Sequence, residues 1–115
     1  MYVDGFVCAV PNANKEAYRE HAASAWPMFK QAGATRMVEC WGDDVPDGKL
    51  TSFPMAVQKK EDETVVFAWV IWPDKATRDA GWKAMMDDAQ MKDVSMPFDG
   101  KRMIYGGFAP ILDVG

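Results

Sequence analysis

The chain has 115 residues, 49% hydrophobic and 26% charged, with a net charge of −4. That suits one folded domain over residues 1–115 and excludes a disordered chain. The longest apolar run, Val65 to Pro73, is about half of what a membrane span needs, and Lys and Arg never run longer than two, so neither membrane nor nucleic acid is an expected partner.

The start, Met1-Tyr2-Val3-Asp4-Gly5, has no basic residue and interrupts its apolar stretch at Asp4, unlike a secretory signal. Tyr2 to Val10 reads as the first strand, ended by Pro11 and Asn12. A helix follows over Lys15 to Ala32, with Asn14 as N-cap and Gly33 as the residue that ends it. Tyr18, Ala22, Ala25, Phe29 and Ala32 recur at spacings of four and three and draw one apolar stripe. Pro27 falls on the opposite side, so a kinked helix is expected rather than two. Thr35 to Gly42 reads as a second strand, and Asp43 to Gly48 as a turn. Phe53 to Gln58 reads as a short strand, with Pro54 marking an edge. Val65 to Trp72 is the strongest strand signal. Pro73-Asp74 opens a second helix over Lys75 to Ala89, with Trp82, Met85, Met86 and Ala89 inward. Ser95 to Lys101 is a loop, and Arg102 to Leu112 the last strand.

The order β-α-β-(β)-β-α-β predicts an α+β fold of the ferredoxin-like, split-βαβ type: a mostly antiparallel sheet with two helices on one face. Such a sheet normally keeps a polar outer face. Here Val66, Ala68, Val70 and Trp72 face one way, and Val65, Phe67, Trp69 and Ile71 the other. The second apolar set calls for a cover, which a second copy would supply, so a homodimer with its sheets face to face is expected.

Met1 to Val7, Val38-Glu39-Cys40-Trp41, Thr51 to Pro54, Glu63 to Phe67 and the run Met96 to Phe108 together resemble the YbaA-like family of small bacterial proteins. The resemblance covers nearly the whole chain. It implies membership of the dimeric α/β-barrel superfamily, in which two ferredoxin-like sheets pair into a barrel. That superfamily holds cofactor-free monooxygenases, haem-degrading enzymes, dismutase-like enzymes and pure ligand binders, so it implies a fold and a dimer more than an activity.

Candidate sites follow from polar residues in apolar surroundings. His21, the single histidine, lies beside the apolar stripe of the first helix and is a candidate base or ligand, against the reading of a hydrogen-bonded structural residue. The second predicted helix has no histidine, and no haem or other cofactor is expected. Asp4 and Glu39 sit on apolar strands, where a carboxylate either anchors a ligand or forms an ion pair with Arg36, Arg78 or Arg102. Arg78, one turn before Trp82, approaches the inner face. Arg102 and Tyr105 could orient an anionic or carbonyl group. Gly106-Gly107 would admit a ligand, or form a bulge at a dimer seam. Cys8 and Cys40 come with no CxxC and no Cys/His cluster, so no metal site is expected, and both read as reduced, buried thiols in a cytoplasmic protein, with redox work as the alternative.

Three functions fit. One is a pocket between helices and sheet, lined by Asp4, Glu39, Arg78, Arg102 and Tyr105, that binds or transforms a small apolar or aromatic molecule. Another is a cofactor-independent oxygenase or isomerase with Glu39 or His21 as base. The third is a dimeric interaction module. The pocket is distinguished from a closed ion-pair network by a cavity of a few hundred Å³ with at least two of the named side chains on its wall; side chains that instead pair directly with one another, or point to bulk solvent, favour the structural reading.

Overall fold

The computed structural model of the protein describes residues 1–88 and 95–115. Strand β1 spans Tyr2–Pro11, helix α1 Lys15–Ala32, strand β2 Arg36–Trp41, helix α2 Phe53–Ala56, strand β3 Glu63–Trp72, helix α3 Lys75–Asp87 and strand β4 Ile104–Phe108. The strands form one antiparallel sheet in the order β2-β3-β1-β4. Each strand–helix–strand unit is therefore split by a strand of the other, which gives an α+β fold.

Opposed residues of an antiparallel pair share a face. The pairs Tyr2↔Trp72, Asp4↔Val70, Phe6↔Ala68 and Cys8↔Val66 lie on the face covered by α1 and α3. Met37, Glu39 and Trp41 of β2 join them, as do Tyr105 and Gly107 of β4. Val66, Ala68, Val70 and Trp72 are all buried here. Trp72 and Val70 pack with Met85 of α3 and with Phe29 and Trp26 of α1. Each such aliphatic side chain contributes roughly 1.5–3 kcal/mol by leaving water.

The stripe on α1 is real: Tyr18 and Ala22 are buried, and Ala25, Phe29 and Ala32 half-buried. Gly33 ends the helix at φ 115°, a left-handed conformation that costs glycine little. Pro27 is exposed, and the helix runs through it unbroken. Asn14 occupies the N-cap position without a capping bond. Its Nδ2 instead donates to the Pro97 carbonyl at 2.8 Å, tying the start of α1 to the chain before β4.

Phe53 to Gln58 is not a strand. The Ser52 hydroxyl accepts from the Met55 N–H at 3.1 Å, and Pro54 sits in the first turn of α2, where its missing N–H costs nothing. The turn positions Val57, which is fully buried against Val7, Ala9 and Val65 on the sheet's other face. The chain thus covers one end of that face itself. The rest stays open: Phe67, Ile104 and Phe108 are 44%, 45% and 61% exposed.

Asp74 caps α3 by accepting from the Thr77 N–H at 2.7 Å. Trp82 and Met85 face inward as expected, whereas Met86 is largely exposed and Ala89 lies outside the described residues. Strand β4 is shorter than expected. Arg102 belongs to a 3-10 turn, and pairing stops at Phe108, opposite Val3 near the start of β1. Gly106-Gly107 forms no bulge, since the register is continuous from Val3↔Phe108 to Val7↔Ile104. Both cysteines are free and on strands, but only Cys8 is buried; Cys40 is half-buried. Cys8 pairs with Val66 and Cys40 with Phe67, neighbours along β3 that face opposite ways, so the sheet separates the two thiols. Among the described residues, no helix is long and apolar enough to cross a membrane.

Candidate functional site

Asp4 is 2% exposed in the middle of an apolar sheet. A carboxylate there demands several donors, and the fold supplies three side chains. The indole N–H of Trp72, at the end of β3, donates to Oδ2 at 2.9 Å, and that of Trp82, on α3, at 2.7 Å. Arg78, also on α3, donates from Nη2 to Oδ1 at 2.7 Å and from Nε to Oδ1 at 3.1 Å. The capping of α3 by Asp74 sets the rotation that brings Arg78 and Trp82, four residues apart, over Asp4. The Asp4 carboxylate raises the pKa of Arg78 still further above its ordinary range. Below the guanidinium lies the ring of Tyr2, 5.4 Å from centroid to Cζ.

A cleft of about 390 Å³ opens beside this pair, lined by Asp4, Phe6, Arg78, Trp82, Met86, Met103 and Tyr105. It lies between α3, which contributes Arg78, Trp82 and Met86, and the start of β4, which contributes Tyr105. Tyr105 is 74% exposed and stands at the rim. Gly107 borders Arg78: a β-carbon there would fall 2.8 Å from Nη2 of Arg78 and 2.6 Å from the Tyr2 hydroxyl. The second glycine of the pair thus makes room for the Arg78 and Tyr2 side chains and forms no bulge.

Three of the five expected site residues, Asp4, Arg78 and Tyr105, meet at this cleft. Glu39 and Arg102 do not. Glu39 accepts the Tyr18 hydroxyl at 2.5 Å, and the Cys8 thiol reaches that same hydroxyl at 3.9 Å. Much of Glu39 is exposed along the edge strand, but the protein around its carboxyl raises the pKa, against the hydrogen bond from Tyr18, which lowers it. Burial raises the pKa of Tyr18 and pushes the Cys8 thiol up to about 11. A smaller hollow of about 140 Å³ adjoins, between Tyr18, Glu39 and Trp41.

Arg102 forms a bidentate pair with Glu63, at 2.7 and 2.8 Å, and also binds Asp99 at 3.0 Å and the Gln58 carbonyl at 2.9 Å. Glu63 is 5% exposed. The guanidinium holds its carboxyl down to about pKa 2. This network fastens the turn before β4 to the start of β3 and the segment after α2, a structural clamp whose residues do not line the cleft. His21 is half-buried beside a shallow groove formed with Glu20, Ser24, Met96 and Pro97. Among the described residues, no cluster of His, Cys, Asp or Glu could hold a metal ion.

The sequence reading missed Trp72, Trp82, Tyr18 and Glu63 as polar partners. By pattern alone the tryptophans and Tyr18 read as core. Their donors were the available signal, because an indole N–H can only donate and a buried Asp on an apolar strand must find donors.

The comparisons with known proteins agree on one family. The chain is 61% identical over 114 residues to "Uncharacterized protein YbaA" of Escherichia coli (strain K12), an alignment covering 97% of each chain. It is equally similar to the protein of that name from Shigella flexneri. The family model described as "Protein of unknown function (DUF1428)" matches residues 1–100. The chain belongs to this family of bacterial YbaA-like proteins.

Proposed function

We propose that the chain binds, and in one reading transforms, a small apolar or aromatic molecule with one polar group in the cleft beside Arg78, acting as a homodimer in the cytoplasm. The observation that carries this reading is the cleft wall: Phe6, Trp82, Met86, Met103 and Tyr105 around one anchored cation, in a space of about 390 Å³. A few fixed polar groups in an apolar hollow of this size are what orient a small ligand. Asp4 serves here by holding Arg78, since its oxygens are taken by Arg78, Trp72 and Trp82. Among the described residues the cleft therefore offers no free carboxylate as a base, which favours binding over acid–base turnover there. An oxygenase or isomerase would have to use Glu39 or His21, and both lie elsewhere.

A second copy is the proposed cover for the open end of the outer sheet face. Phe67 touches Phe53 and Trp69, with ring centroids 5.9 and 5.6 Å apart. The ring of Phe108 lies over Gly5 and Gly106. This continuous aromatic surface supports both a dimer and the interaction-module reading.

Mass spectrometry of solvent extracts from the purified protein tests the cleft. Met86 is 61% exposed, so Met86→Trp fills the cleft without disturbing the core. A small molecule present in the wild-type extract and absent from the variant is the expected result. Extracts that match between the two, together with no small aromatic compound that raises the melting temperature of the wild type alone, overturn the reading.

A further inference from the structure

We infer that the polar group this cleft accepts is an uncharged hydrogen-bond acceptor, a carbonyl oxygen on an aromatic or apolar frame. The inference rests on the cleft reading above and follows from which polar atoms are already used. Oδ2 of Asp4 takes both indole N–H groups, and Oδ1 takes Nη2 and Nε of Arg78. No acceptor on Asp4 is left for an ammonium or amide N–H of a ligand. The indole N–H of Trp82, the cleft's other strong donor, is spent on Asp4 as well.

What remains is mainly donors. A guanidinium carries five N–H groups. In Arg78, Nε and one N–H of Nη2 go to Asp4, and one N–H of Nη1 goes to Asp79 at 3.0 Å. Among the described residues two find no partner, on a side chain 23% exposed. The Tyr105 hydroxyl at the rim adds another. Phe6, Met86 and Met103 contribute apolar surface.

Charge completes the argument. Arg78 lies between Asp4 and Asp79, and Asp79 is also paired with Lys75 at 2.6 Å. The two carboxylates and two cations sum to zero. A ligand carboxylate could also reach the uncommitted N–H groups, but it would enter a site with no net positive charge and with Asp4 at its base, so its lost hydration would be repaid by hydrogen bonds alone and opposed by the carboxylate already there. A ligand cation would meet a guanidinium, with only the Tyr105 hydroxyl at the rim to accept from it among the described lining side chains. A neutral carbonyl uses the uncommitted N–H groups and asks for no charge balance.

Four naphthalenes of one frame test this by calorimetric titration of the intact protein: the methyl ketone, the isopropyl hydrocarbon, the carboxylate and the methylammonium. The ketone should bind about tenfold tighter than the hydrocarbon, the scale of one net hydrogen bond, and tighter than both charged probes. Met86→Trp should abolish binding of all probes. If the hydrocarbon, carboxylate or ammonium binds as tightly as the ketone, and Met86→Trp removes that binding, the cleft stands and the carbonyl inference fails. If no probe binds, or binding survives in Met86→Trp, the cleft reading and this inference fall together.

Discussion

Gly107 on β4 stands where a β-carbon would fall 2.8 Å from Nη2 of Arg78, itself 2.7 Å from the buried Asp4. Gly106, one residue earlier, faces the other side, and a β-carbon there would meet only the ring of Phe108 at an ordinary 3.5 Å. The two glycines therefore predict opposite outcomes. Gly107→Ala should cost about 1–3 kcal/mol, because Arg78 cannot move without leaving Asp4. Gly106→Ala should be neutral or mildly stabilising. Urea denaturation of the two variants checks this, and equal stabilities would show that Arg78 is free to yield.

Removing the carboxylate itself is the harsher change. Asp4→Ala strands a guanidinium and two indole N–H groups, and the loss of one partner from a buried pair costs about 3–5 kcal/mol. The variant should melt well below the wild type. A melting temperature within a few degrees of wild type would mean that water already serves these donors.

The Arg102–Glu63 clamp sets a pH dependence. Glu63 ionises near pH 2 in the folded chain, held down by Arg102, and higher when unfolded. A depressed folded pKa gives stability that is present above the unfolded value and lost as pH falls through the folded one. The wild type should lose this contribution between about pH 4.5 and about pH 2. Glu63→Gln should be less stable at neutral pH and show a flatter acid limb in denaturation measured against pH. Parallel acid limbs would remove Glu63 from the account.

The proposed dimer should sediment at twice the chain mass of 12.8 kDa at micromolar concentration. Phe67 is 44% exposed on the single chain, so Phe67→Asp leaves the protomer folded and breaks the pairing. A wild-type protein that sediments as a monomer would leave the aromatic face without the cover argued for it.

Thiol labelling separates the two cysteines. Cys8 is buried, with its pKa pushed up to about 11, and should react only on unfolding. Cys40, half-buried on the opposite face, should react first. Labelling of Cys8 in native protein, read by peptide mass spectrometry, would contradict its burial.

What the sequence determined by itself was local or periodic. The spacing of Tyr18, Ala22, Phe29 and Ala32, with Gly33 after them, is enough to place α1, because a helix repeats its stripe every three or four residues. The two-sided apolar run of β3 likewise announced a sheet covered on one side and apolar on the other. Asp4 and Arg78 stood out as charges in apolar surroundings. Tertiary structure decided how the polar groups pair. Asp4 found Arg78 and two tryptophans 68 to 78 positions away, and Arg102 went to Glu63 rather than to the cleft. Such pairings depend on the β1–β3 register and the rotation of α3, and long-range register leaves no periodic mark on a single chain. The same holds for α2: Ser52 and Pro54 permit a helical turn, but only the buried seat of Val57 against Val7 and Val65 requires one.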